Sequence, residues 1–558
     1  MRRALLVMAL ALGACAAPTS YGGLTGGTTQ DASVAVPRQV SPVSVSLIAS
    51  SRPRVRWDLR ADAEGRLTGA VVEMSRTRDF GGEVKRFRGK GSELVVSEDL
   101  EPGVWFWRLK GDANGTLGTN ASAVWEMVVR GPAAHGSSNT PTRSVVDING
   151  DGEPDLLIGA LVEDAPPPEE ATGAIDSPSA TGQPAASSST SGAVLLYGGS
   201  RERGFAGGAT DWFVGYPSKY AGPMSIGGGT DFNGDGLTDM IVSGVDVYSG
   251  QGELYFDVSV ALASDKPEAR FDLDEGGALY MGAPSPTLPN VREGADIDGD
   301  GYGDAVIGLV DMGALFLGTP AKGAPALVTV DPGLDADPGP NPPCRIALGG
   351  FDADGDGLSD VAFGVMSSFQ PTAKAAISRG DHLLRIGEPT MLDSADARIA
   401  TALAAGDFNG DGIDDLAMTT AVDPATRVCV WFGARSEAPR PGPCLTAPAG
   451  ESDFGASLTA ADIEGDGVDE LLATTKVGEI DGVRVVRLGA DGALTTTPIG
   501  APGLGVRVTT IWPGRPGKAR WAAVAADGSR VGVFEGAELR ATLTPPPGVT
   551  RGFGRGLR

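Results

Sequence analysis

The chain of 558 residues alternates between short apolar runs and turns rich in Gly and Asp. Four of these runs follow directly on such turns and often contain β-branched residues, at residues 156–160, 240–242, 305–308 and 361–364. Further apolar runs, each closed by Gly, come later in each unit, at residues 194–198, 315–318, 428–433 and 485–489. Runs of this length and composition predict strands rather than helices. We therefore expect a series of small antiparallel sheets.

Six of the turns share one nine-residue acidic pattern, which starts at Asp147, Asp231, Asp296, Asp352, Asp407 and Asp462. Successive starts are 55 to 84 residues apart, which is the size of a propeller blade. A seventh unit follows at residues 504–536, but its turn at residues 513–517 has lost the carboxylates. Seven four-stranded blades close into a ring without long exposed edges. The predicted fold class is therefore all-β, a seven-bladed propeller at residues 140–558.

The acidic pattern places oxygen-bearing side chains where a sharp turn lets them converge. Gly at positions 4 and 6 permits that turn, and hard oxygen ligands without His or Cys suit Ca²⁺. We expect up to six calcium ions, held by positions 1, 3, 5 and 9 of the loops: Asp147, Asn149, Asp151 and Asp155; Asp231, Asn233, Asp235 and Asp239; Asp296, Asp298, Asp300 and Asp304; Asp352, Asp354, Asp356 and Asp360; Asp407, Asn409, Asp411 and Asp415; Asp462, Glu464, Asp466 and Glu470.

Two other interpretations of the loops are weaker. A solvated Asp-Gly turn explains one copy but not six with the same acid positions. An EF-hand needs a Glu at position 12 and flanking helices, whereas position 12 of the first loop is Ile158. Asp414 and Asp469 are additional acids at position 8 of their loops, and we expect both to be exposed.

The repeats resemble the FG-GAP (VCBS-like) repeats of the integrin α-subunit propeller. The best match is residues 454–458, followed by the loop at residues 462–470 and the strand at residues 471–473. The resemblance covers about residues 140–558 and implies that each loop joins the first and second strands of a blade. It also implies that position 7 adds a backbone carbonyl ligand, here from Glu153, Leu237, Tyr302, Leu358, Ile413 and Val468.

The amino terminus predicts export. Residues 1–14 resemble a bacterial lipoprotein signal, which implies cleavage before Cys15, lipidation of its thiol and attachment to the outer membrane or cell surface. An ordinary secretion signal with a chance Cys is the alternative. Residues 15–40 are polar and predict a flexible tether. No later segment reaches the roughly 20 apolar residues of a membrane span, so the lipid is the expected attachment.

Residues 41–130 follow a different β rhythm and predict a small sandwich. The stretch at residues 100–108 with the later residues 122–125 resembles an Ig-like, fibronectin type III domain, and Phe106 stands where that family usually has its corner Tyr. Residues 163–191 are rich in Pro, Ala, Ser and Thr, and they predict a disordered insertion in the first blade. The tail at residues 547–558 predicts a strand that pairs with the first blade, with a frayed terminus as the alternative.

The composition of the chain narrows the range of possible partners and activities. The net charge of −26 makes nucleic acid an improbable partner, because no basic stripe is present. With Cys15 assigned to lipid, three cysteines remain, and Cys429 and Cys444 are close enough in sequence to form a disulfide in the fifth blade. The two histidines, His135 and His382, sit in no recognisable catalytic setting, so we expect no enzyme.

Residues 379–381 spell the Arg-Gly-Asp tripeptide recognised by animal integrins, which we interpret as a coincidence of the repeat. The leading hypothesis is a calcium-stabilised, surface-anchored binding or adhesion protein with a protein or glycan partner. One alternative is an enzyme acting on extracellular polysaccharide, such as a lyase, because some lyases carry calcium-bearing propellers. The other is a purely structural component of the envelope.

Overall fold

The computed structural model describes residues 30–558 except for 49, 60–64, 131–140, 164–189, 200–212, 217–224, 249–252, 264–270, 273–277, 282–289, 309–312, 320–325, 331–343, 367–374, 381–389, 393–399, 423–424, 515–517 and 555. The regular elements of the described residues are all strands. The predicted all-β class is confirmed.

Residues 30–144 form a two-sheet sandwich. Its strands are β1 (Gln30–Asp31), β2 (Arg38–Ser41), β3 (Ser46–Ile48), β4 (Arg54–Asp58), β5 (Gly69–Ser75), β6 (Val84–Lys90), β7 (Glu93–Val95), β8 (Gly103–Ala113), β9 (Thr116–Gly118), β10 (Trp125–Val129) and β11 (Pro141–Ser144). The larger sheet has the order β1-β9-β8-β10-β3-β11, with β5 and β6 beside β8, and the smaller sheet is β2-β4-β7. The predicted tether is wrong for residues 30–40, because β1 pairs with β9 and β2 pairs with β4.

Successive side chains of strand β8 pack on opposite sides of the larger sheet. Trp105 and Trp107 point into the core between the two sheets, where Trp107 meets Trp125 edge to face at 5.5 Å. Phe106 points the other way and packs with Trp512 of the later sheets. The aromatic cluster is core, as its β rhythm predicts, but the position of the expected corner Tyr faces a second domain.

Antiparallel sheets follow one another through the rest of the chain. The first three consist of β12 (Leu156–Glu163), β13 (Thr190–Tyr197) and β14 (Phe213–Tyr216); β15 (Ser225–Thr230), β16 (Asp239–Tyr248), β17 (Glu253–Ala263), β18 (Phe271–Asp272) and β19 (Ala278–Met281); and β20 (Asn290–Ala295), β21 (Asp304–Gly308), β22 (Gly313–Leu317) and β23 (Ala326–Val330). The predicted insertion falls between β12 and β13, and residues 164–189 lie outside the described residues.

The next sheets repeat this order. They consist of β24 (Cys344–Phe351), β25 (Asp360–Met366), β26 (Ala375–Ser378) and β27 (Thr390–Leu392); β28 (Ala400–Gly406), β29 (Asp415–Val422), β30 (Ala425–Phe432) and β31 (Arg440–Thr446); β32 (Glu451–Ser452), β33 (Leu458–Ala461), β34 (Glu470–Val477), β35 (Ile480–Leu488) and β36 (Leu494–Ile499); and β37 (Val508–Trp512), β38 (Arg520–Val524), β39 (Val531–Glu535) and β40 (Glu538–Leu543). The four apolar runs predicted after the acidic loops lie in strands β12, β16, β21 and β25, and the strand predicted at residues 471–473 lies in β34.

The sheets are arranged as a β-propeller. The first strand of each sheet contacts the first strand of the next, from β15 through β20, β24, β28 and β33 to β37. Five of these strands, β20, β24, β28, β33 and β37, line a shared central cavity, to which the sandwich contributes Leu47. Strands that radiate from a common centre, each sheet a meander of sequential strands, define this architecture.

The carboxyl-terminal tail joins the two ends of the ring. Strand β41 (Val549–Arg551) pairs with β12, and Arg558 and Leu157 exchange backbone hydrogen bonds. Phe553 is buried between the first and last sheets beside Tyr197. The predicted pairing of the tail with the first blade is confirmed. The tail occupies the place that β11 would otherwise fill, because β11 pairs with β3 of the sandwich.

Candidate metal centre

The acidic loops lie together on one face of the propeller. Each of the later five joins the first and second strands of a sheet, and sequential strands in these sheets are antiparallel, so the loops emerge at the same end. Backbone hydrogen bonds connect successive loops: the amide at position 8 donates to the position-1 carbonyl of the loop before it, over 2.7 to 3.1 Å, in the pairs Gly303 and Asp231, Ser359 and Asp296, Asp414 and Asp352, and Asp469 and Asp407.

The fourth loop shows the internal geometry. Asp352 accepts hydrogen bonds at Oδ1 from the amides of Gly355 (2.6 Å) and Asp356 (3.2 Å), and at Oδ2 from the amide of Gly357 (2.9 Å). Gly355 and Gly357 have φ angles of +71° and +94°, which L side chains rarely adopt. The two glycines therefore let the backbone turn around the position-1 carboxylate, as the spacing predicts.

In the first, third, fourth and fifth loops, the position-9 acid connects the loop to the third strand of its sheet. Asp360 accepts at Oδ2 from the amide of Ala353 (2.8 Å) and at Oδ1 from the amide of Gly380 (3.1 Å), which follows the third strand. Gly199, Gly318 and Gly433 make the same bond to Asp155, Asp304 and Asp415. The Gly that closes the third strand thus holds the last acid of the loop. This link was not predicted.

Burial divides the acids into an inner and an outer set. The position-1 and position-9 side chains are buried in every loop. Position 3 is half-buried except at Asp354, which is buried, and at Glu464, which is exposed, while position 5 is exposed except at Asp300, which is half-buried. The position-7 amides donate to the position-5 carboxylates over 2.8 to 3.0 Å at Glu153, Leu237, Tyr302, Leu358, Ile413 and Val468.

Two of the loops gather three carboxylates around one point. Oxygens of Asp296, Asp298 and Asp300 lie within 4.8 Å of one another, and so do those of Asp352, Asp354 and Asp356. Asp296 Oδ1 is buried and has no hydrogen-bond partner. A buried carboxylate oxygen without a donor is costly unless a cation meets it. These clusters could hold a metal ion, and their all-oxygen donor set fits calcium.

The electrostatics of the loops favour a cation. Burial and the neighbouring Asp235 raise the pKa of Asp231 to about 8. Burial, with a smaller contribution from adjacent acids, raises the pKa of Asp352 and of Asp407 to about 7. A divalent cation removes this cost, because it stabilises the ionised carboxylates directly.

Arginine side chains form ion pairs with position-3 or position-9 acids in two of the described loops. Arg487, on β35, places Nη2 2.9 Å from Glu464 and Nε 3.0 Å from Glu470. Arg379 lies 3.3 Å from Asp354. Arg379 and Gly380 therefore serve the fourth loop, which agrees with the interpretation of the Arg-Gly-Asp tripeptide as a coincidence; residue 381 lies outside the described residues.

The expectation that Asp414 and Asp469 are exposed is wrong. Both are buried, and their carboxylates accept hydrogen bonds of 3.0 Å from the amides of Asp352 and Asp407. Position 8 is therefore a second point of contact between successive loops. Asp469 also forms a 3.0 Å ion pair with Arg130 of the sandwich, in which both side chains are buried.

The sandwich docks on the loop face. Trp125 donates from Nε1 to the carbonyl of Gly234 (3.1 Å), and Ser44 donates from Oγ to the carbonyl of Gly236 (3.1 Å). Arg38 donates to the carbonyl of Asp300 (2.5 Å). These donors are far from the loops in sequence, so no local pattern could identify them.

The remaining predicted sites have mixed outcomes. A disulfide joins Cys429 and Cys444, which are opposite each other on β30 and β31. Cys15, His135 and His382 lie outside the described residues. No helix in the part of the chain that the structure describes has the length and apolar character needed to cross a membrane.

The comparison with protein families identifies one repeat. Residues 352–418 match the FG-GAP-like repeat. This segment starts at the fourth loop, includes the fifth and ends within β29, so the match falls on the recurring unit described above. No curated protein sequence matches the chain.

Solved structures with a similar fold are distant in sequence. The crystal structure of BBS1N in complex with ARL6DN is 11% identical, with a TM-score of 0.33 and coverage of 64% of this chain and 88% of that chain. The Dos1 propeller is 13% identical, with a TM-score of 0.34 and coverage of 64% and 82%. The Bacillus licheniformis rhamnogalacturonan lyase is 13% identical, with a TM-score of 0.25 and coverage of 92% and 78%. No activity is inferred from these likenesses.

Proposed function

We propose that this chain is a calcium-stabilised, lipid-anchored cell-surface protein that binds a protein or glycan partner through a seven-bladed propeller. The observation that carries the proposal is the repeated loop: one oxygen-rich geometry recurs on one face, with successive copies hydrogen-bonded to each other. The FG-GAP-like match at residues 352–418 and the propeller architecture both fit a binding role. A rigid ring of this kind positions its connecting loops for recognition.

Calcium is the proposed structural ion of the loops, held by the side chains at positions 1, 3, 5 and 9 and by the carbonyls at position 7. Two features support it: the converging carboxylates of the third and fourth loops and the buried oxygen of Asp296 without a donor. Calcium prefers six to eight oxygen ligands in flexible geometry, which this donor set supplies. Its role is to stabilise the ring and the docked sandwich, so that binding depends on calcium through the fold.

The proposed anchor sets the orientation of the propeller. Lipidation at Cys15 and a tether ending near residue 29 would place the fibronectin type III-like sandwich next to the membrane. The sandwich covers part of the loop face, where Trp125, Ser44 and Arg38 contact the loops. We infer that the opposite face, which carries the hairpin between β34 and β35, is the one presented to a partner. Nucleic acid is not among the proposed partners, because the chain has a net charge of −26.

Ligand capture tests this proposal. The protein comprising residues 16–558 is applied to glycan arrays and to purified envelope proteins in Ca²⁺ and in EDTA, and every captured ligand is titrated to saturation. We expect saturable capture in calcium and weaker capture in EDTA. A folded, calcium-loaded protein that captures nothing would contradict the binding role. Turnover of extracellular polysaccharides by the same preparation would favour an enzyme instead.

A further inference from the structure

Glu126 lies on β10 of the sandwich, but its side chain reaches the first acidic loop of the propeller. It is 2% exposed and contacts the carboxylate of Asp147, the position-1 acid of that loop. Glu126 Oε2 has no hydrogen-bond partner. A buried carboxylate oxygen without a donor, on a side chain that contacts a second carboxylate, is unfavourable unless a positive charge lies beside it.

The backbone of Glu126 is held firmly, so its position is not an accident of a loose side chain. Its amide donates to Ser44 Oγ over 3.2 Å, and its carbonyl accepts from the amide of Val45 over 2.8 Å. Ser44 Oγ in turn donates to the carbonyl of Gly236 in the second acidic loop. The docking contacts of the sandwich therefore fix the strand that carries Glu126 against the loop face.

The nearby arginine does not resolve the contact between the acids. Arg78 donates from Nη2 to the carbonyl of Gly236 (3.1 Å), and its Nη1 is buried without a hydrogen-bond partner. In the described structure Arg78 therefore donates no hydrogen bond to Glu126 or to Asp147. The negative charge of the two acids can therefore still be neutralised by a bound cation.

The number of carboxylates in the loops also supports a role for Glu126 in binding a cation. The third, fourth and sixth loops have four acids at positions 1, 3, 5 and 9, because position 3 is Asp298, Asp354 or Glu464. In the first loop position 3 is the neutral Asn149. Glu126 supplies the fourth carboxylate from outside the loop, and it does so beside the position-1 acid.

We propose that Glu126 is a ligand for the cation held by the first loop, so that this one metal is shared between the sandwich and the propeller. The inference rests on the proposed loading of the loops with calcium. It assigns the first loop a second task, which is to fix the relative position of the two domains. Calcium removal would then loosen the docking as well as the ring.

The variant Glu126→Gln tests the ligand role in the protein comprising residues 16–558. Its matched control is Glu73→Gln, which removes an equally buried acid of the same sheet that is paired with Arg86 (3.0 Å) and Arg108 (2.9 Å) instead of with a loop. Calcium is counted by native mass spectrometry, and its affinity is measured by calorimetry. We expect Glu126→Gln to weaken one site on the order of tenfold or more, and Glu73→Gln to leave all sites unchanged.

Thermal melts provide a readout that a merely structural role would not produce. In EDTA, Glu126→Gln is expected to raise the melting temperature, because it removes repulsion from Asp147; in calcium it is expected to lower it. In an Asp151→Asn background, which disables the first loop, the calcium-dependent part of the effect should disappear. A variant that binds calcium like the wild type, or shifts both melts in the same direction, overturns the inference alone. A wild-type protein that binds no calcium overturns the proposed loading and this inference together.

Discussion

The third and sixth loops have the same backbone but different sources of positive charge. In both, the second Gly donates to the position-1 carboxylate, over 3.1 Å in the third loop and 2.8 Å in the sixth. The position-2 amide donates to the position-9 acid over 2.7 and 2.8 Å. In the third loop, however, three carboxylates converge. In the sixth, Arg487 bridges Glu464 and Glu470.

The comparison separates two properties of the motif: the path of its backbone and the neutralisation of its charge. The Gly residues and the position-1 Asp determine the path of the backbone. Charge neutralisation is decided by residues outside the motif. Arg38 contacts the third loop at the carbonyl of Asp300 and over the ring of Tyr302 (5.2 Å), and its guanidinium lies 3.8 Å from the carboxylate of Asp58. We therefore expect the stability of the third loop to depend on a bound cation more than that of the sixth does.

The largest expected effect is that of removing calcium from all loops. At a hundredfold excess over its Kd, each bound ion contributes about 2.7 kcal/mol to stability. Chelation with EDTA should therefore lower the melting temperature by on the order of 10 °C or more. Differential scanning calorimetry in Ca²⁺, in Mg²⁺ and in EDTA measures this effect. Equal melting temperatures in calcium and in EDTA would mean that the loops are stable without metal, and the comparison of the loops would lose its basis.

A matched pair of substitutions comes next in size and tests the two loops against each other. Asp298→Asn removes a converging carboxylate from the third loop, whereas Glu464→Gln removes an exposed acid at the same position of the sixth. We expect Asp298→Asn to weaken calcium binding on the order of tenfold, and Glu464→Gln to change it by less than about threefold. Calorimetric titration of both variants checks this. Equal losses would show that Arg487 does not substitute for the ion.

Much of this geometry could be predicted from the sequence, because it is local. The spacing of Asp352, Gly355 and Gly357 determines the turn, and the apolar run after each loop becomes a strand. The pairing of the tail with the first blade was also predicted. The partners of the loops were not recognisable, because they come from other elements. Arg487 lies on the third strand of its sheet, and Arg130 is 339 residues away from Asp469.

The misjudged position-8 acids illustrate the same limit. In the sequence, Asp414 and Asp469 look like surplus charge beside a complete ligand set, which favours exposure. Their burial follows from the stacking of successive loops, which places an amide of the preceding loop opposite each carboxylate. Likewise, β11 was expected in the first blade but pairs with β3, because the tail supplies a strand in that place.

Removing the positive charge of Arg487 should make the stability of the sixth loop depend on calcium, as we expect for the third loop. Arg487→Met keeps the apolar stem and deletes the charge, so Glu464 and Glu470 lose their ion pairs. We expect a lower melting temperature in EDTA and recovery of most of this loss in calcium, because the ion then replaces the guanidinium. Melts of the variant and the wild type at several calcium concentrations measure the change. A loss that calcium does not restore would show that Arg487 is only a structural partner.

The smallest expected effect concerns the fourth loop. Three carboxylates converge there, as in the third loop, but an arginine contacts one of them. Among the acids that the structure describes, Arg379 approaches Asp354 alone, at 3.3 Å, and its side chain is 35% exposed. An ion pair of this kind is worth roughly 0 to 1 kcal/mol, so Arg379→Met should raise calcium affinity by no more than about fivefold and barely change the melt in EDTA. Arg440→Met is the control, because Arg440 pairs with Glu437 away from the loops. Arg487 contacts two loop carboxylates, whereas Arg379 contacts one. We therefore expect Arg379→Met to change the calcium dependence of the melt less than Arg487→Met does. The opposite order would contradict the idea that an arginine replaces the ion in proportion to the carboxylates it contacts.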